Sequence, residues 1–297
     1  MPSFKKLLSL PLLLAATAAP AFAAGSGVAP KAEALFHVGP LPVTNSMVTS
    51  WVVATVFIIA VRLIIRKPKL IPSRGQAMVE NIVEGVRGLI SPIVGTKVAS
   101  HAFPLLITLF TFILIQNWSG LFPGVGTVYV QSHATGEWME FVRPGNADMN
   151  GTIALAAVAF IAWFYFVMRY AGPMFVLKDL FGNKANKKET PAIIYYPLFL
   201  IFFAAGLIEV ISILFRPVSL SFRLYGNIFG GENLMHAMSA IEKWGLPAPF
   251  YFLELLIGFV QAFVFMLLVS VYIGLICNHG DGHHDEPAHE GHKEAAH

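Results

Sequence analysis

Charged side chains are scarce in this chain: Lys, Arg, Asp and Glu make up 12% of its 297 residues, about half of the roughly 25% found in a soluble domain. That scarcity excludes an ordinary water-exposed surface. Cysteine is nearly missing as well, since Cys277 stands alone, so neither an internal disulfide nor a cysteine metal or redox motif is available. It lies at the end of the last apolar run and reads as a spectator. No glycine-rich loop ending in Lys-Ser or Lys-Thr occurs, so nothing marks a nucleotide-binding site on this chain. An internal repeat is also missing, which removes support for an inverted-repeat transporter. The net charge of +3 does not point to nucleic acid.

Hydrophobic residues, by contrast, make up 56% of the chain. Several apolar runs rich in Leu, Ile, Phe and Ala reach the roughly 20 residues that a helix needs to cross a hydrocarbon core. The expected fold class is therefore all-α, a polytopic transmembrane helical protein embedded in the lipid bilayer. Residues 1–23 resemble a cleavable signal peptide: Lys5 and Lys6, an apolar stretch, then Ala21-Phe22-Ala23 before Ala24. With the leader removed, residues 24–46 form an external N-terminal segment ahead of a membrane domain over 47–277.

The first span is expected over about 48–65. It ends near Arg62, Arg66, Lys67, Lys69 and Arg74, which marks a cytoplasmic end by the positive-inside rule. Next, Met78, Ile82, Val86 and Ile90 recur every four positions in a segment too polar to span. They predict an amphipathic helix on the cytoplasmic surface or packed on a neighbour. A second span over about 103–122 runs outward into "NWSGLFPG". The loop that follows, with Arg143 against Glu137, Glu140 and Asp148, is expected outside. A third span, about 152–170, returns to a loop holding Lys178, Lys184, Lys187 and Lys188, again the mark of the inside face.

From Pro191 to about Ala240 the chain stays apolar for some fifty residues, about 75 Å as a helix. That is far more than one perpendicular crossing requires. The segment is either a hairpin or one long tilted helix kinked near Pro217, and charge counting does not decide between them. A turn at "EKWGLPAPF" leads to a final apolar helix over about 251–277, the fifth membrane segment. The tail 278–297 holds six of the ten histidines interleaved with acids. Their irregular spacing defines no single coordination site, so the tail reads as disordered rather than metal-binding.

Polar residues inside the long segment stand out because embedded charges are costly and usually face a protein interior or a water-filled path. Glu209, Arg216 and Arg223 are each seven apart, within about 20° of one helix face, and Asn227 shares that side. Glu232, nine residues beyond Arg223, points the opposite way, and His236 lies beside Glu232. On the last helix, Glu254 and Gln261 are again seven apart and positioned to meet these residues. Gly226, Gly230 and Gly231 would let another helix approach the backbone closely. For Glu209 a structural ion pair with Arg216 and a functional role are equally open. No lysine or arginine stands within a turn of Glu232 or Glu254, which makes proton relay the sharper reading for those two. His236 is a weaker candidate, since a lone histidine near a membrane surface is often interfacial.

"RPVSLSFRLYGNIFGGENL" followed by "LIGFVQAFVFMLLVSVYI" closely resembles the a subunit of F-type ATP synthases, with support from "NWSGLFPG" and "NADMNGTIALA". The resemblance covers about Met47 to Cys277. It implies two long tilted helices wrapped against a ring of c subunits, b-type peripheral stalk subunits as further partners, and the rest of the ATP synthase around them. It places Arg223 opposite the ring's carboxylates, between two aqueous half-channels. Asn227 and Gln261 then become its polar neighbours, Glu232 and Glu254 liners of the outer half-channel, and Glu209 a polar position on the same helix. It also implies one outward crossing by the long segment, with the tail in the cytoplasm of a bacterial inner-membrane protein. No cofactor and no metal are implied, and nucleotide chemistry belongs to other subunits. Two acids at Glu232 and Glu254 depart from the acid–histidine pair of many relatives. The rival readings are a sodium-driven version of the same subunit, an independent transporter binding an anion at Arg223, and a scaffold whose charges only pair structurally.

Overall fold

The computed structural model describes residues 32–66, 68–122, 125, 129–131, 138–181, 192–242 and 245–277. The leader 1–23, the lysines at 184–188 and the tail 278–297 lie outside these residues. In chain order the elements are strands β1 (Ala34–Val38) and β2 (Leu41–Thr44), then helices α1 (Asn45–Ile64), α2 (Arg74–Val94) and α3 (Thr96–Ser119). Strands β3 (Tyr129–Gln131) and β4 (Trp138–Glu140) follow, then α4 (Met149–Phe166), α5 (Pro173–Phe181), α6 (Ala192–Ile241) and α7 (Pro247–Cys277). Five of the described helices, α1, α3, α4, α6 and α7, are long and apolar enough to cross a membrane, as expected.

Local chemistry sets the helix starts. The Thr44 side chain accepts the Met47 N–H at 3.4 Å to cap α1. Ser73 does the same for Gln76 at 3.4 Å on α2, and Asp148 for Asn150 at 3.2 Å on α4. Helix α7 begins on Pro247, where a missing N–H costs nothing. It starts four residues earlier than expected for that reason.

The long apolar segment is one helix, not a hairpin. Helix α6 runs 50 residues without interruption, about 75 Å, and Pro217 lies inside it without ending it. Proline's missing N–H leaves the Ile213 carbonyl without its helical donor. Before α1, β1 and β2 form an antiparallel hairpin turning at Gly39, whose φ is +62°. The pair β3–β4 forms a second small ribbon.

The four-residue stripe on α2 divides between two environments. A step of four residues turns about 400°, so each member is rotated about 40° from the last. Met78 and Ile82 consequently face outward and are exposed, while Val86 and Ile90 have rotated into the core with Val94. That core collects Leu106 and Ile113 of α3, Ala156 and Ala159 of α4, Leu220 and Leu224 of α6, and Phe265, Met266 and Ile273 of α7. Helix α7 is its hub, touching α2, α3, α4 and α6. At the crossing with α2, Gly274 lies against the Ile93 carbonyl so closely that a Cβ would collide with it. Burial of the apolar spans is uneven: over the apolar stretch of 18 residues in each, 39% is buried in α3 and α7 against only 6% in α1 and α6. One long flank of α6 is therefore open.

Candidate functional site

Helix α6 carries its polar residues on two sides. Arg223 is exposed on the open flank, as are Gly226 and Gly230, where an added Cβ would meet nothing within 4 Å. Gly231 is the one used in packing, since its missing side chain makes room for the Glu254 carboxylate of α7. Glu232 lies across the helix from Arg223, about 13.5 Å further along the axis.

Glu232, His236 and Glu254 come together at one cleft. Its volume is about 100 Å³, and its walls include Asn117, Pro144, Ile228 and Tyr251. That is room for several waters beside polar partners. Glu254 is 8% exposed and reaches the cleft from the first half of α7, while Glu232 and His236 approach from the last third of α6. The cleft thus lies where α3 and α6 end and α7 begins.

Between this cleft and Arg223 the two helices are joined by a polar bridge. Asn227 Nδ2 donates to Gln261 Oε1 at 2.8 Å. Gln261 is 4% exposed, and its own Nε2 has no hydrogen-bond partner among the described residues. Further along α6, Arg216 Nη2 donates to Glu209 Oε1 at 2.7 Å. The same guanidinium sits 4.7 Å from the centre of the Tyr272 ring on α7. Glu209 is therefore engaged in the ion pair that the spacing left open.

Several residues of this region carried no role in the sequence reading. Asn117 Nδ2 donates to the Gly258 carbonyl at 2.9 Å, and Trp118 Nε1 donates to the Leu255 carbonyl at 3.1 Å. Two neighbours on α3 thus grip α7 within a turn of Glu254. Asn146 Nδ2 donates to Asn117 Oδ1 at 2.7 Å and extends the chain of contacts to the loop before α4. The signal was present in "NWSGLFPG" and "NADMNGTIALA", where asparagines border apolar spans. That loop is not a solvated surface at Arg143 and Asp148, which are 3% and 4% exposed. Arg143 Nη2 donates to the Ala147 carbonyl at 3.1 Å, and Asp148 Oδ2 accepts from Ser46 Oγ of α1 at 3.0 Å.

A family model described as "ATP synthase A chain" matches residues 47–274, from the start of α1 almost to the end of α7. The chain belongs to this family. It is 32% identical over 240 residues to "ATP synthase subunit a 2" of Bradyrhizobium sp. (strain BTAi1), covering 81% of this chain and 92% of that protein. "ATP synthase subunit a" of Moorella thermoacetica is 32% identical over 239 residues, 80% and 93% of the two chains. The protein of the same description from Trichlorobacter lovleyi is 33% identical over 243 residues, 82% and 91%. Membership covers every described membrane helix, including both the open flank with Arg223 and the cleft with Glu232 and Glu254. It is accordingly a polytopic helical membrane protein of the ATP synthase A chain family.

Proposed function

We propose that this chain is the proton-translocating a subunit of an ATP synthase, a non-catalytic stator that couples proton flow to rotation of a c ring. The observation that carries this reading is the opposed placement of charge on α6. Arg223 stands on an unburied flank with room beside Gly226 and Gly230, while Glu232 shares a cleft of about 100 Å³ with Glu254 on the other side. The Asn227–Gln261 bridge lies between them.

In this mechanism the cleft is the outer half-channel. Glu232, Glu254 and His236 are groups that accept and release protons, and waters between them complete a relay. The open flank of α6 meets the rotor. Guanidinium keeps its charge in proteins, so Arg223 attracts a ring carboxylate in its ionised form and favours loss of its proton. The same fixed charge repels a proton moving directly from one half-channel to the other. Moving one charge through 100 mV is worth about 2.3 kcal/mol, so a direct leak would discharge the gradient without work. Nucleotide chemistry belongs to other subunits of the complex. Protons are the proposed cargo. The basic ends of α1 and α5 support a cytoplasmic placement for them, with the N-terminus outside, the tail inside and the protein in a bacterial inner membrane.

The test is isolation of the tagged chain from its native membrane. A small two-helix proteolipid in many copies, together with peripheral stalk subunits and ATPase activity, is the expected company. A chain that purifies alone and transports an anion in vesicles would revive the transporter reading and overturn this one.

A further inference from the structure

We propose that the linker between α1 and α2 is a binding site for the headgroups of anionic phospholipids. Its position follows from the length of α1. Twenty residues of helix rise about 30 Å, the thickness of the hydrocarbon core, so the chain leaves α1 at the level of the headgroups. There Leu70 is fully exposed and Ile71 is 86% exposed. Two adjacent aliphatic side chains presented to water in this way are costly, whereas the boundary between acyl chains and headgroups solvates them.

The linker is a held conformation, not a loose tether. Gln76, itself 5% exposed, bonds the Lys69 backbone twice: its Oε1 accepts the Lys69 N–H at 3.1 Å and its Nε2 donates to the Lys69 carbonyl at 3.0 Å. Gly75 sits so close to Ile64 that a Cβ would strike it, which sets the start of α2 against the end of α1. With both ends held, Leu70 and Ile71 project outward.

Charge selects the occupant. Arg62, Arg66, Lys69 and Arg74 flank the two aliphatics along the chain, are all exposed, and are in no ion pair among the described residues. The nearest acid on α2, Glu80, is turned to Gln76, which donates to it at 2.7 Å. The exposed side of α2 continues the apolar edge through Met78, Ile82 and Leu89. A basic cluster around an inserted apolar edge is the arrangement that concentrates anionic lipid, each basic side chain contributing about fivefold by its roughly 1 kcal/mol. A protein partner would favour this apolar edge without needing four unpaired cations beside it.

The experiment uses the intact complex, with Cys277→Ser and Leu70→Cys carrying a polarity-sensitive bimane, reconstituted into phosphatidylcholine vesicles. Brominated phosphatidylglycerol and brominated phosphatidylcholine are compared as quenchers at equal mole fraction. Quenching at least about twofold stronger by the anionic lipid is expected. Adding Lys69→Gln and Arg74→Gln should abolish the preference while quenching by phosphatidylcholine and ATP-driven pumping persist. Equal quenching by both lipids overturns headgroup selectivity. No quenching by either shows that a protein subunit covers the linker, and overturns the proposal. Neither outcome touches the proton-path reading, which stands or falls on subunit isolation and on Arg223.

Discussion

Asn227 of α6 and Gln261 of α7 share a hydrogen bond of 2.8 Å, a polar contact that ties the helix bearing Arg223 to the buried hub of the fold. Gln261→Leu removes the acceptor and Asn227→Leu the donor. Each should cost about 1 kcal/mol of stability and slow ATP-driven proton pumping. Because the two residues act on one bond, the double variant should lose little more than either single one. Thermal denaturation of the solubilised complex measures the coupling, and fully additive losses would contradict it.

Gly231 faces the Glu254 carboxylate with no room for a methyl group. Gly231→Ala should force α6 and α7 apart at the cleft, at about 1–3 kcal/mol for overpacking. Gly226→Ala, where an added methyl group meets open space, should not do so. A comparison of their melting temperatures tests this, and equal effects would mean that the flank at Gly226 is as crowded as the cleft.

Much of this arrangement was legible in the sequence because helical phase is simple geometry. The separations of seven and nine residues already set Arg223 apart from Glu232 and paired Glu254 with Gln261 on one face. The same geometry misled where small errors accumulate: the spacing of four on α2 looked like one stripe, yet its rotation of about 40° per step carries Met78 outward and Ile90 inward. The charge balance of its loop suggested the outer side of the membrane for Arg143 but gave no sign that the side chain is buried. Its burial depends on contacts from α1 and α3, residues distant in sequence such as Thr49, whose Oγ1 accepts the Arg143 N–H at 3.3 Å. The role of Asn117 was hidden for the same reason, since its partners Asn146 and Gly258 lie on other elements. Spacing along one helix says nothing about which side of it another helix covers, and so Gly231 could not be told from Gly226.

Glu232 shares the cleft with Glu254 and His236. Glu232→Gln keeps the shape and removes the exchangeable charge, so proton passage should slow several-fold while each ATP hydrolysed still moves its usual number of protons. Dye-quench assays of vesicles give the rate, and parallel hydrolysis measurements give the ratio. An unchanged rate would leave Glu232 with a structural role only.

The Glu209–Arg216 pair predicts an asymmetric cycle. The side chain of Glu209 is 48% exposed and that of Arg216 16%, and removing either partner breaks the same ion pair. Arg216 also packs over Tyr272, which adds a cation–π contact of about 0.5–1 kcal/mol. Arg216→Gln should therefore lower the melting temperature more than Glu209→Gln. Equal losses would indicate that the Tyr272 contact contributes nothing.

The role of Arg223 is tested most directly by ATP-driven proton pumping in vesicles carrying Arg223→Ala or Arg223→Lys, with assembly checked by co-isolation of the other subunits. Both complexes should assemble. Neither should pump, since alanine has no charge and a lysine enclosed against the proposed ring does not hold its charge as guanidinium does. Normal pumping by either variant would contradict the account.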